Sequence, residues 1–102
     1  MVRLAIVYPN GDGKRFDLTY YCERHMAGAH RLLQSYGLVR VEVDRPLQPG
    51  PIACIGYFYF ESPDGLQRGM DACGPELIAD VPNYTDIAPQ LYTGEVTEIA
   101  AV

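Results

Sequence analysis

Basic residues are scarce in this chain of 102: eight Lys and Arg stand against thirteen Asp and Glu, for a formal charge of −5. Nucleic acid is held by a basic footprint that displaces counterions, and an anionic membrane surface attracts the same kind of patch. Neither partner is expected. No apolar run approaches the roughly 18 residues that span a bilayer, because charges or turns interrupt every candidate. Cysteine is sparse and odd in number: Cys22, Cys54 and Cys73 lie far apart, with no C-x-x-C pair. A disulfide framework takes an even set in a secreted chain, so reduced and mostly buried thiols are expected. Met1-Val2-Arg3-Leu4 enters a strand-like pattern without the charged, apolar and cleavage regions of a signal peptide. The expected location is therefore cytoplasmic. What is present is globular in composition, 48% apolar and 21% charged, and argues against disorder. The length suits one domain, residues 1–102, with no internal repeat.

Apolar periodicity sets the order of elements. Val2 to Tyr8 reads as a strand ended by Pro9, and Asn10-Gly11-Asp12-Gly13 is a dense turn signal. Asp17 sits where an N-cap belongs, ahead of a helix from Leu18 to Tyr36. Leu18, Cys22, His25, Ala29, Leu32 and Tyr36 form its apolar face, and Gly37 is placed to end it. Leu38 to Asp44 and Ile52 to Phe60 read as strands around a loop from Pro46 to Pro51. Ser62-Pro63-Asp64 starts a second helix that Gly74 closes, and Pro75-Glu76 opens a shorter one to Asp80. After a loop from Val81 to Asp86, Leu91 to Ile99 makes a last strand. The order β-α-β-β-α-β is the ferredoxin-like plan, an α+β antiparallel sheet with both helices on one face. Its first and third strands are apolar on both faces, and a second copy of the chain is the simplest cover for the open one. Tyr57 or Tyr59, with neighbours on the last strand, is expected at that homodimer interface.

Few residues carry chemistry. Gly11-Asp12-Gly13-Lys14 follows a strand and precedes a helix, but it matches no phosphate-loop spacing and reads as a turn. Gly56-Tyr57-Phe58-Tyr59-Phe60 lacks the basic residue an RNA-recognition strand carries before its glycine, since Ile55 stands there. His25 and His30 lie about 140° apart around a helix and cannot share a metal ion. His30 belongs to the solvated face. His25 falls on the apolar face, where an imidazole needs either a hydrogen-bond partner or a cavity. A Cys22–His25 nucleophile pair has no oxyanion hole beside it. The densest polar segment is Ala79 to Ile87, where Asp80, Asn83, Tyr84, Thr85 and Asp86 share one loop. Those groups either converge on a ligand or merely cap the backbone around Pro82.

Four ordered motifs together resemble the EthD family: Tyr8-Pro9-Asn10, then Phe16-Asp17 with Tyr20-Tyr21 and His25-Met26, then Glu42-Val43-Asp44-Arg45, and Ala79 through Asp86. They span almost the whole chain. The resemblance implies a dimeric α+β barrel, in a superfamily that includes muconolactone isomerases, haem-degrading monooxygenases and stress-response barrel proteins. Family members are linked to ethyl tert-butyl ether degradation without a defined reaction, and fungal relatives dehydrate or decarboxylate polyketides. One position departs: Ala27 follows His25-Met26 where the family has proline, which lets the helix continue.

The expectation is a small cofactor-independent enzyme acting on a hydrophobic, aromatic or polyketide-like molecule. His25 is its acid/base, Asp80 orients the imidazole and Tyr84 donates to a substrate oxygen, in a cavity between the first helix and the sheet. Tyr21 walls the pocket, and Asn83, Thr85 and Tyr57 join it as ligand contacts. No metal is expected. The alternative is a non-catalytic ligand-binding or accessory protein of a catabolic pathway. A third reading, haem bound through His25, follows from the resemblance alone.

Overall fold

The computed structural model describes residues 1–102. Strand β1 (Val2–Pro9) is followed by helix α1, strands β2 (Leu38–Asp44) and β3 (Ile52–Phe60), helix α2 (Pro63–Asp80) and strand β4 (Gln90–Glu95). The sheet order is β2-β3-β1-β4 with antiparallel neighbours throughout. This is the ferredoxin-like α+β architecture expected from the sequence.

Strand alternation sorts the two faces. Val2, Leu4, Ile6 and Tyr8 on β1 join Cys54, Phe58 and Phe60 on β3 in the buried core, together with Tyr21, Met26, Ala29 and Leu33 of α1 and Leu66, Cys73 and Leu77 of α2. Both helices therefore cover one face. The other carries Arg3, Ala5 and Val7 beside Ile55, Tyr57, Tyr59 and Tyr92. The guanidinium of Arg3 lies over Tyr57 and that of Arg40 over Tyr59, which partly shields two of these rings.

Helix α1 is not uniform. It starts as Leu18–Tyr20, capped by the Asp17 carboxylate that accepts from the Tyr20 N–H at 3.0 Å. It widens to a π turn over Tyr21–Met26, resumes α geometry over Ala27–Leu33 and tightens at Gln34–Tyr36. Gly37 then leaves the helix at φ 83°. The extra residue in the π turn rotates the rest of the helix about its axis. The buried face becomes Tyr21, His25, Met26, Ala29 and Leu33, in place of the expected stripe through Leu18, Cys22, Leu32 and Tyr36. Helix α2 also differs from the sequence reading, being continuous through Gly74 and Pro75. Proline at 75 removes one N–H that would reach back to residue 71, and Asp71 is exposed, so water can satisfy its carbonyl. Strand β4 runs to Glu95, short of the expected Ile99, and the Val96 N–H beyond it still donates to the Met1 carbonyl at 2.8 Å. No helix is long and apolar enough to cross a membrane.

Candidate active site

The polar loop after α2 is strapped to the segment before α1. A 3-10 turn, Val81–Asn83, leads into Tyr84, whose carbonyl accepts from the Asp17 N–H at 2.7 Å. Phe16 bridges Thr85 in antiparallel fashion, and the Arg15 N–H donates to Asp86 at 3.0 Å. That backbone bond holds the Asp86 carboxyl below its ordinary range. Thr85 donates to the Arg15 carbonyl at 2.6 Å and accepts from the Ile87 N–H, so its hydroxyl serves the strap. The strap drives the Tyr84 side chain into the core, fully buried.

There Tyr84 meets His25. The π turn presents His25 with 5% of its side chain exposed, stacked on Tyr21 at 5.5 Å between ring centres. Its Nδ1 lies 2.9 Å from an Asp80 carboxylate oxygen and its Nε2 lies 3.4 Å from the Tyr84 hydroxyl. The second Asp80 oxygen accepts from the Tyr20 hydroxyl at 2.7 Å and from the Asn83 amide at 2.9 Å. Partial burial pushes the Asp80 carboxyl up, but the bonds from Asn83, Tyr20 and His25 outweigh it, and the group sits below the ordinary carboxylate range. An ionised carboxylate only accepts, so Nδ1 of a neutral imidazole carries the proton and Nε2 is left as the acceptor. Tyr84 then donates to Nε2 and accepts from Tyr8, whose hydroxyl is 2.6 Å away. Burial raises both phenols, Tyr8 and Tyr84, above the ordinary tyrosine value.

One end of this chain opens on an apolar cavity of about 220 Å³. Its walls come from β1 (Leu4, Ile6), Phe58, α2 (Met70, Leu77) and β4 (Leu91), and its only polar side chains are Tyr8, His25 and Tyr84. Ile78 and Leu91, both largely exposed, stand at its surface side. The other end meets an open polar cleft of about 310 Å³ lined by Arg24, Glu76, Asp80 and Asn83. His25 and Leu77 separate the two spaces.

The structure thus brings together His25, Asp80 and Tyr84, with Asn83 on the outer side. The cavity lies under α2, not between α1 and the sheet as expected, because Tyr21 fills the space beneath α1. The Tyr21 hydroxyl is buried without a hydrogen-bond partner, packed over Gly56, where any Cβ would clash with it. Tyr21 consequently backs the imidazole and does not line the cavity. Tyr57 pairs with Ala5 on the opposite face of the sheet, away from this cluster. Cys22 lies in a different groove with His30 and Arg40, apart from the His25 nitrogens. Sequence reasoning misses Tyr8 and Tyr20. Tyr8 carries a signal, being a polar tip at the end of an apolar strand and in phase with Leu4 and Ile6. No cluster of three or more His, Cys, Asp or Glu is placed to hold a metal ion. Haem does not fit: the cavity is too small for a tetrapyrrole.

No protein-family model and no curated protein matches the chain. Solved structures do. An EthD-like protein from Ralstonia eutropha JMP134 is 29% identical, with 98% of this chain and 95% of that one covered at a TM-score of 0.86. Over nearly its whole length this chain is similar to an EthD-like protein. An ethyl tert-butyl ether degradation (EthD) family protein from Bacillus halodurans C-125 shares 20% identity at TM-score 0.65, over 95% of this chain and 99% of that one. At this identity, and at the lower ones that follow, the likeness shows the fold alone. A dimeric ferredoxin-like protein from an uncultured marine organism has 12% identity and TM-score 0.60, with 100% of this chain and 98% of that one covered. SnoaB of Streptomyces nogalater, a cofactor-independent oxygenase, has 13% identity and TM-score 0.62 over 97% and 96% of the two chains.

Proposed function

We propose that the chain is a cofactor-independent enzyme that moves a proton on a small hydrophobic molecule held in the cavity under α2. The observation that carries this is the His25–Asp80 pair, placed where a polar, solvent-connected cleft meets an apolar chamber. Asp80 fixes the ring and one tautomer, so Nε2 is presented as a base toward the cavity side. Tyr84 is positioned to donate to a substrate oxygen in place of its 3.4 Å contact with Nε2. The imidazole then returns the proton to substrate, and the exposed side of Asp80 keeps the pair in contact with solvent. A cofactor-independent oxygenase on the same fold agrees with chemistry done by side chains alone. Asn83 acts by holding Asp80, not by touching the ligand. The working unit is one domain, residues 1–102, as a homodimer in the cytoplasm.

The second reading, a ligand-binding or accessory protein, uses the same apolar cavity without proton transfer. Hydrogen–deuterium exchange at the α-carbon of small hydrophobic ketones (2-tetralone, 1-indanone, acetophenone), followed by proton NMR, separates the two. Positioned acid/base groups typically contribute about 10²–10⁴-fold to rate. Exchange should be accelerated by the protein and fall toward background in His25→Ala, with the variant still folded. Ketones that bind without accelerated exchange would favour the binding reading.

A further inference from the structure

We propose that Tyr8 is the ligand-contacting end of the hydrogen-bond chain and that the cavity selects an uncharged ring compound bearing a hydroxyl group, held as donor to the Tyr8 oxygen. The inference rests on the cavity reading above and adds to it a residue and a ligand chemistry. The direction of the chain decides the polarity. Asp80 can only accept, so the protons point one way: Tyr8 to Tyr84, Tyr84 to His25, His25 to Asp80. With its proton committed to Tyr84, the Tyr8 hydroxyl offers the cavity lone pairs and no donor. Even a bond from the neighbouring Tyr21 hydroxyl would leave one lone pair free. A ligand O–H completes the chain, whereas an ether oxygen placed at Tyr8 meets another acceptor.

Charge is excluded by the same surroundings. No Lys or Arg lines the cavity, and Arg24 belongs to the outer cleft. The titratable groups facing Tyr8 are Tyr21 and His25 from α1, Tyr84 from the strap and Cys54 from β3, with Asp80 beyond His25. None supplies a fixed positive charge to stabilise an anion. Burial, which raises the phenols of Tyr8 and Tyr84, would penalise an ionised ligand for the same reason. A volume of about 220 Å³ suits one ring or two fused rings.

Isothermal titration with three probes on one skeleton tests this: 2-naphthol, 2-methoxynaphthalene and 2-naphthoate. A buried acceptor left unmatched costs enough that 2-naphthol should bind about fivefold or more tighter than the methyl ether, with the carboxylate weakest. Tyr8→Phe should erase the naphthol advantage while the ether keeps its affinity. Tyr84→Phe, which frees the Tyr8 proton to point into the cavity, should shrink the preference as well and serves if Tyr8→Phe fails to fold. Equal binding of naphthol and ether by the unmodified protein, or a naphthol preference that survives in Tyr8→Phe, would overturn the proposal while leaving the cavity as a hydrophobic site. Failure of all three probes to bind would overturn both.

Discussion

Asp80 is the residue on which the site turns, because three donors from two elements converge on it: Tyr20 and His25 on α1, and Asn83 in the turn after α2. Its carboxyl is held below the ordinary value, so its ionised form is favoured by folding. The corresponding stability is fully present above the unfolded carboxyl value of about 4 and is lost as pH falls through the lower folded value. Thermal melts from pH 6 to pH 3 should therefore show the gap between the unmodified protein and Asp80→Asn closing below about pH 4. A gap that stays constant over that range would mean the carboxylate charge is not what holds the cluster. His25, Asp80 and Tyr84 are visible in the sequence because each is a polar group in apolar or proline-turn surroundings. Sequence alone does not tell Thr85, spent on the strap, or Tyr57, on the far face, from true neighbours of His25. Nor does it reveal Tyr20, whose partner is sixty residues away.

At the scale of elements, local signals suffice wherever they are strong. Asp17 and Ser62 cap their helices as their positions suggest, and Gly37 takes the left-handed conformation that ends α1. The departures share one cause, tertiary packing overriding local preference. Packing carries α2 across Gly74-Pro75, because Cys73, Gly74 and Leu77 form one buried stripe that a break would misalign. The π turn in α1 has no sequence signature at all. It places Tyr21 over Gly56 and His25 next to Asp80 in the same turn. Ala27, where the family has proline, begins the regular α segment of the helix. The cavity lies under α2 and not under α1 for this reason.

For the whole molecule, the two-sided apolar character of β1 and β3 is legible from alternation, and the structure gives it a location. The face of the sheet opposite the helices holds Ala5, Val7, Ile55, Tyr57 and a largely exposed Tyr92, with only Arg3 and Arg40 laid over its tyrosines. A second copy of the chain is the cover we propose for this apolar face. Light scattering at micromolar concentration should give twice the 11.3 kDa chain mass, and a monomer mass would contradict the homodimer. The central claim is narrower: a neutral hydrophobic molecule sits under α2 against the His25–Asp80 pair. A crystal structure of the protein grown with 2-naphthol tests it most directly. The account requires the rings among Leu4, Ile6, Phe58, Leu77 and Leu91, with the oxygen in hydrogen-bond reach of Tyr8, and Nδ1 of His25 still on Asp80. Rings bound in another groove or on the open face of the sheet, with side chains closed over the space under α2, would contradict it.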